Sequence, residues 1–82
     1  MAVDLGADGI RVNAIAPGVI ETAMTEATRS DTRRLEGFLR RTPQGRMGQP
    51  AEIAGPAVFL ASPMASYVNG VTLAVDGGML AN

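Results

Sequence analysis

Two short apolar runs, far apart in the sequence, constrain most strongly what this chain can fold into. The first reads IRVNAIA at residues 10–16 and stops at Pro17-Gly18, and the second reads GVTLAVDGG at residues 70–78. Short runs that contain β-branched residues and end in glycine or proline favour strands buried on both faces, as in a parallel sheet. A buried helical segment is the alternative for residues 10–16, but the shortness of the run and its Pro-Gly end argue against it.

The long segment between the two runs carries helical patterns. Ser30 or Asp31 is placed to cap a helix in which Leu35, Phe38 and Leu39 form one apolar stripe. About 55 residues separate the runs, and a connection of that length with helices suits a parallel pair joined by a right-handed crossover. The sequence therefore predicts the α/β class.

A further helix is predicted to begin at Pro50, with Glu52 in its first turn. Pro56 falls inside this helix, where it removes one backbone hydrogen bond and clashes with the carbonyl of Glu52, at a cost of about 3 kcal/mol. We therefore expect a kink at Pro56 or a break after the first turn. At the other end of the chain, MAVDLGADG at residues 1–9 reads as the end of a helix, and we expect its first turns to be missing.

Composition excludes several classes of chemistry. The 82 residues suffice for one small domain at most, and the net charge of −1 does not favour nucleic acid or an anionic membrane as a partner. The chain has no Cys and no His, and all seven of its cationic side chains are Arg. Disulfides, thiol nucleophiles, imidazole bases, the usual zinc sites and a lysine Schiff base are therefore excluded within this chain. Residues 53–75 lack charge but are too interrupted by Gly and Pro for a membrane span, and the acidic start lacks signal-peptide character, which favours the cytoplasm.

The turn after the first apolar run is the candidate binding site. In parallel α/β sheets, ligands bind beyond the carboxyl ends of the strands, where Pro17-Gly18 is predicted to lie. Val19 and Ile20 can then present backbone N–H and C=O groups to a planar amide, which needs one donor and one acceptor. Thr22 adds a hydroxyl at a predicted helix start, where anions are favoured. On the residues alone, the alternative that Pro-Gly only ends a strand and Thr22 only caps a helix stays open.

Three blocks in register resemble the C-terminal third of short-chain dehydrogenases/reductases. The blocks are DGIRVNAIAPGVIETAM, RMGQPAEIAGPAVFLAS and ASYVNGVTLAVDGGM, and together the resemblance runs across essentially all 82 residues. It implies a partial Rossmann-like fold, with residues 1–82 as the C-terminal fragment of a single NAD(P)-binding domain. It also implies hydride transfer between NAD or NADP and an alcohol or carbonyl substrate in the parent enzyme.

The resemblance assigns roles to particular residues. Pro17, Gly18 and Val19 would line the nicotinamide, the Ile20 backbone would hold its carboxamide, and Thr22 would contact carboxamide or phosphate. Residues 23–45 match the variable, mobile segment that closes over substrate. Arg46, Glu52 and Asp76, like the glycines beside Asp76, are expected to be structural, and no catalytic residue and no metal ligand is assigned.

The departures from the family pattern are as important as the matches. The chain lacks the Gly-rich phosphate loop and the residue that would select NAD or NADP. It also lacks the catalytic Ser and Tyr-x-x-x-Lys, since Tyr67 is followed by Val71 where the pattern needs Lys. We therefore expect the chain alone to be inactive, as one part of an oxidoreductase.

A non-catalytic folding or oligomerisation module is the alternative function, and cofactor binding without turnover is the third. Because the first strand would lack its inner neighbour, its open apolar edge favours a homo-oligomer or association with the missing N-terminal portion.

Overall fold

The computed structural model describes residues 1–81 and places one helix and one strand before a run of three helices and a final strand. The elements are α1 (Ala2–Leu5), β1 (Ala14–Pro17), α2 (Glu26–Ser30), α3 (Thr32–Arg40), α4 (Pro50–Ala61) and β2 (Thr72–Val75). Short 3₁₀ turns occupy Gly6–Asp8, Ala23–Thr25, Pro63–Ala65 and Met79–Ala81. The helix end predicted for residues 1–9 is confirmed, and Gly9 closes it with a left-handed φ of 77°.

The two strands pair in parallel, which confirms the predicted class. Ala14 lies opposite Thr72, and Pro17 lies opposite Val75. Both strands are shorter than the apolar runs that predicted them, residues 10–16 and 70–78. The predicted burial on both faces is also wrong for this chain, because Ala14 and Pro17 are exposed and the strand pair is covered only in part.

Side-chain amides replace the strand ladder before Ala14. Asn13 donates from Nδ2 to the Val68 carbonyl at 3.0 Å and accepts at Oδ1 from the Val71 N–H at 3.0 Å. The Val12 N–H donates to Asn69 Oδ1 at 3.0 Å. One backbone bond remains here, from the Gly70 N–H to the Val12 carbonyl at 2.9 Å. The other bonds of residues 12 and 13 to the approach of β2 involve side chains, which explains why β1 begins only at Ala14.

Asp31, rather than Ser30, caps α3. Its Oδ1 accepts hydrogen bonds from the backbone N–H groups of Arg33 at 3.1 Å and Arg34 at 3.2 Å. The predicted apolar stripe is half-buried, and its members are Leu35, Phe38 and Leu39. The helical segment is thus two helices, because Asp31 ends α2 and starts α3.

Pro56 does not break α4, so of the two outcomes expected there, a kink or a break after the first turn, the break is wrong. The helix runs from Pro50 to Ala61 with Pro56 inside it. At its start the Gln49 N–H donates to Glu52 Oε1 at 2.9 Å, and the short Ala-rich sequence that follows favours the helical state. The hydrogen bond at the helix start and the helix propensity of the alanines offset the loss of the one backbone hydrogen bond that Pro56 cannot form.

The folded chain buries little of its own surface. Only Met47, Ala65 and Thr42 are buried among residues 1–81. The radius of gyration is 15.4 Å, whereas a compact domain of this length measures about 12 Å. The accessible surface is 5827 Å², roughly 1,200 Å² more than a folded monomer of this mass exposes.

None of the helices within residues 1–81 combines the length and the apolar character that a membrane span needs.

Candidate functional site

The turn that follows β1 lies at the carboxyl ends of both strands. Pro17 ends β1, and the next N–H, from Gly18, donates to the Val75 carbonyl at 3.0 Å. Gly18 then passes so close to β2 that a Cβ at this position would lie 2.8 Å from the Asp76 Cα. The φ angle of Gly18 is not positive. Glycine is therefore needed at this position because two backbone segments approach each other closely.

Hydrogen bonds fix the turn to the segment that enters α4. The Val19 carbonyl accepts from the Gly48 N–H at 2.9 Å, and the Glu21 N–H donates to the Gly48 carbonyl at 2.9 Å. The Gln49 side chain adds a bond from Nε2 to Glu21 Oε2 at 2.8 Å. The turn is thus held between β2 and the start of α4.

Two backbone groups of the turn remain without a protein partner. The N–H groups of Val19 and Ile20 make no hydrogen bond within residues 1–81, whereas the Thr22 hydroxyl accepts from the Thr25 N–H in a capping box. Val19 and Ile20 also line a cavity of about 460 Å³ at the strand tips, together with the residues from Val75 to Gly78. The two N–H groups can donate to a carbonyl or phosphate oxygen, and the Ile20 C=O, which accepts from Thr25, has a second lone pair that can accept from an amide.

The five predicted site residues are therefore brought together only in part. Val19 and Ile20 line the cavity, whereas Pro17, Gly18 and Thr22 are not part of its lining. Thr22 precedes the 3₁₀ turn Ala23–Thr25 and not a long α-helix, so a helix dipole contributes little at this position.

The structure adds two residues that the sequence analysis did not single out. Thr25 places its hydroxyl between the Ile20 carbonyl at 2.7 Å and the Thr22 N–H at 3.0 Å. Arg29 donates from Nη2 to the Thr22 carbonyl at 2.9 Å. The spacing of Thr22 and Thr25, three residues apart before a helix, is the one signal that could have found the first of these contacts.

Asp76 is structural, as expected. Its two carboxylate oxygens accept from the N–H groups of Gly78 at 2.9 Å and Leu80 at 3.0 Å. Gly77 and Gly78 take left-handed φ values of 65° and 97°. The carboxylate therefore shapes the exit from β2, with one protein donor on each of its oxygens.

Arg46 and Glu52 form a two-armed ion pair at the cavity wall. Arg46 Nη1 lies 2.8 Å from Glu52 Oε1, and Nη2 lies 2.8 Å from Oε2. The hydrogen bonds from Arg46, followed by the bond from the Gln49 N–H, lower the pKa of Glu52 from its ordinary 4.5 to about 2. The pair joins the segment before α4 to the first turn of that helix.

This ion pair predicts a specific acid sensitivity. Because the folded pKa of Glu52 lies below the unfolded value, its stabilising contribution is complete above pH 4.5 and is lost as the pH falls towards 2. We expect the urea midpoint to fall across this window, and Glu52→Gln to remove that part of the pH dependence. Glu36→Gln, on the exposed surface of α3, is the control. An unchanged pH profile in Glu52→Gln would show that the pair is not formed in solution.

Comparison with known proteins identifies the family. The family model described as enoyl-(acyl carrier protein) reductase matches residues 1–80. The chain is 57% identical over 79 residues to 2-dehydro-3-deoxy-D-gluconate 5-dehydrogenase of Bacillus subtilis strain 168, a match that covers 96% of the chain and 31% of that enzyme.

Solved structures share the fold at high similarity. A protein assigned as a 2-deoxy-D-gluconate 3-dehydrogenase from Agrobacterium tumefaciens, with bound NADP, matches with a TM-score of 0.97 and 56% identity over 99% of this chain and 33% of its own. A gluconate 5-dehydrogenase from Burkholderia cenocepacia J2315, in complex with NADP and tartrate, matches with a TM-score of 0.94 and 43% identity over 100% of this chain and 32% of its own.

The chain thus spans about a third of the length of these relatives. Agreement of sequence, fold and family model over almost all of its residues shows that it belongs to the short-chain dehydrogenase/reductase family and shares the Rossmann-like α/β fold of that family.

Proposed function

We propose that residues 17–22 form the nicotinamide-facing wall of an NAD(P) site in a short-chain dehydrogenase/reductase, of which this chain supplies the C-terminal third. The observation that carries the proposal is the pair of unpartnered N–H groups of Val19 and Ile20 beside a cavity at the strand tips. A carboxamide presents one acceptor and one donor, and the Ile20 N–H and C=O supply the complementary pair.

The residues present fit the nicotinamide end of such a cofactor. Pro17 and Gly18 lie beside the turn with little side-chain bulk, and the backbone N–H groups of Val19 and Ile20 have no protein partner within residues 1–81. When bound, NAD or NADP supplies the atom that accepts or donates hydride. This chain's own residues hold and orient the ring, and no side chain of Val19, Ile20 or Thr22 is suited to general acid or base catalysis at neutral pH.

The proposed substrate is a small alcohol or carbonyl compound, and the relatives support the sugar-acid class. The Bacillus enzyme and the Burkholderia structure are both named for dehydrogenation of gluconate-type compounds. The proton of this reaction must be handled by residues outside this chain, because the chain has no Lys and no Tyr-x-x-x-Lys.

A chimera tests the proposal directly. The matching third of the Bacillus subtilis dehydrogenase is replaced by residues 1–82 of this chain. The turnover of 2-dehydro-3-deoxy-D-gluconate is then measured through the change in NAD(P)H. We expect the chimera to turn over and the isolated chain to show none. Because Val19 lines the cavity, the much larger side chain of Val19→Trp would occupy part of it, and this variant of the chimera should have a raised KM for cofactor. A folded chimera without cofactor binding would contradict the proposal.

A second candidate function, a non-catalytic assembly module, is favoured by the exposed apolar surface. Val58 on α4 is 68% exposed, Met64 is 82% exposed and Tyr67 is fully exposed. The excess surface of roughly 1,200 Å² exceeds the ~800 Å² that one partner buries in a standard interface. We propose that another polypeptide, either a second copy or the remainder of the domain, covers this surface.

Light scattering on the purified chain checks this proposal. We expect a dimer or larger species, because exposed apolar area of this size favours association. Val58→Glu should shift the distribution towards monomer, whereas Ala27→Glu, which adds the same charge at an exposed position of α2, should not. A cooperative, stable monomer of the unaltered chain would contradict the assembly role.

A further inference from the structure

Thr25 ties together three backbone groups of the turn that follows β1. Its Oγ1 lies 2.7 Å from the Ile20 carbonyl and 3.1 Å from the Thr22 carbonyl, and it accepts from the Thr22 N–H at 3.0 Å. A hydroxyl donates one hydrogen and accepts at its lone pairs, so a single side chain serves as both donor and acceptor at this place. The contacts close a ring across residues 20–25 and fix the peptide planes on both sides of residue 21.

Arg29 makes a second contact to the same turn, but a weaker one. Its Nη2 donates to the Thr22 carbonyl at 2.9 Å, whereas its Nε is buried without a partner among the described residues. An unpartnered buried donor opposes the gain from the bond that the same side chain makes. Thr25, whose donor and acceptor are both used, is therefore the stronger of the two ties.

The hydrogen bonds of Thr25 act on the same turn that carries the unpartnered N–H groups of Val19 and Ile20, so they affect how that turn is ordered. The Ile20 carbonyl that Thr25 holds belongs to a residue that lines the cavity and whose N–H has no partner within residues 1–81. Fixing that carbonyl restricts the orientation of Ile20, and the bond from the Thr22 N–H fixes the end of the same turn. Without these bonds the turn would have to be ordered when the cofactor binds, and that ordering costs affinity.

We propose that Thr25 is a positioning residue: its hydroxyl pre-orders residues 20–22 for the nicotinamide cofactor and couples that turn to α2. This role rests on the proposed function of residues 17–22. It assigns no contact between Thr25 and the cofactor, since Thr25 acts through Ile20 and Thr22.

Amide hydrogen exchange by NMR on the full 82-residue chain tests the tie itself. Thr25→Val keeps the shape and removes the hydroxyl, so we expect the Thr22 amide to exchange about tenfold faster. The Glu21 and Gly48 amides, which bond elsewhere, should not change, and Thr25→Ser should restore slow exchange at Thr22. Thr28→Val on α2, the helix that follows Thr25, is the matched control, and Arg29→Met should have a smaller effect than Thr25→Val.

Titration with NADP⁺ separates this role from the proposed function. In the Bacillus chimera, the Kd for NADP⁺ should rise several-fold with Thr25→Val, with Thr25→Ser close to the unaltered chimera. A Kd that Thr25→Val leaves unchanged would overturn the role of Thr25 alone. No NADP⁺ binding by the folded, unaltered chimera would overturn the proposed function and this role with it. Fast exchange of the Thr22 amide in the unaltered chain would overturn the tie.

Discussion

Gly18→Val is expected to separate the tips of the two strands and to cost about 3 kcal/mol of folding free energy. A Cβ at this position would lie 2.8 Å from both the Cα and the Cβ of Asp76, and 3.2 Å from the Asp76 carbonyl oxygen. Two of these atoms belong to the backbone, which cannot rotate away as a side chain can. The clash would also displace Asp76, whose carboxylate holds the N–H groups of Gly78 and Leu80.

A urea titration of the chain, followed by circular dichroism, measures this effect. Gly48→Ala is the contrast at the same site, because the one close contact of the added Cβ would be with the Cδ1 of Ile20 at 2.7 Å, a methyl group that can move, whereas the Val19 carbonyl oxygen lies at 4.0 Å. Gly37→Ala, where nothing lies within 4 Å, should stabilise α3 by about 0.5–1 kcal/mol. Equal midpoints for Gly18→Val and Gly48→Ala would show that the strand tips do not approach as closely as described.

Arg11→Met is the second change with a large expected effect, a loss of about 2–3 kcal/mol. Arg11 Nη1 donates to the carbonyls of Leu60 at 2.9 Å and Val68 at 3.3 Å, and Nη2 donates to the Ser62 carbonyl at 3.3 Å. These carbonyls lie at and beyond the end of α4, where the helix cannot satisfy them itself. A cation at a helix C-terminus is also favoured by the dipole.

Methionine keeps the length and apolar stem of Arg11 and removes all the donors, so the thermal midpoint should fall markedly. Lysine keeps the charge but replaces the planar fork by one ammonium group, so Arg11→Lys should fall between the two. Arg33→Met, at an exposed position of α3, is the control and should change the midpoint little. If Arg11→Met and Arg33→Met melt together, the guanidinium does not close the end of α4.

Local patterns in the sequence predicted most of the helices and strands, but not the hydrogen bonds that join them. The apolar runs at residues 10–16 and 70–78 and the distance between them predicted a parallel pair, and Asp31 and Pro50 were placed correctly at helix starts. Each of these features depends on neighbours along the chain. The lengths of the strands depend instead on Asn13 and Asn69, which bond across more than 50 residues, and no local pattern encodes that pairing.

The same distinction holds at the candidate site. The Pro-Gly turn and its place at the strand tips follow from residues 13–22, whereas the fixed backbone of Val19 depends on Gly48 from the other side of the crossover. The break, one of the two outcomes expected at Pro56, was wrong because one lost backbone bond is a small part of the free energy of a helix that is capped at its start.

The strand pair is only partly covered, and two backbone N–H groups of the turn after β1 lack a partner within residues 1–81. Both observations fit one interpretation of the molecule. The chain forms one wall of a site and leaves the opposite faces open to another polypeptide. The Arg46–Glu52 pair, the Asp76 carboxylate and the Arg11 guanidinium stabilise the shape of that wall, while the backbone N–H groups of Val19 and Ile20 have no protein partner within residues 1–81 and are free for the proposed ligand.

A crystal structure of the Bacillus chimera with bound NADP tests the central claim most directly. Our account predicts that the Ile20 backbone N–H and C=O lie within ordinary hydrogen-bonding distance of the carboxamide, with Pro17 and Gly18 against the nicotinamide ring. A nicotinamide placed away from residues 17–22, or a turn that points into a packed interior, would contradict it.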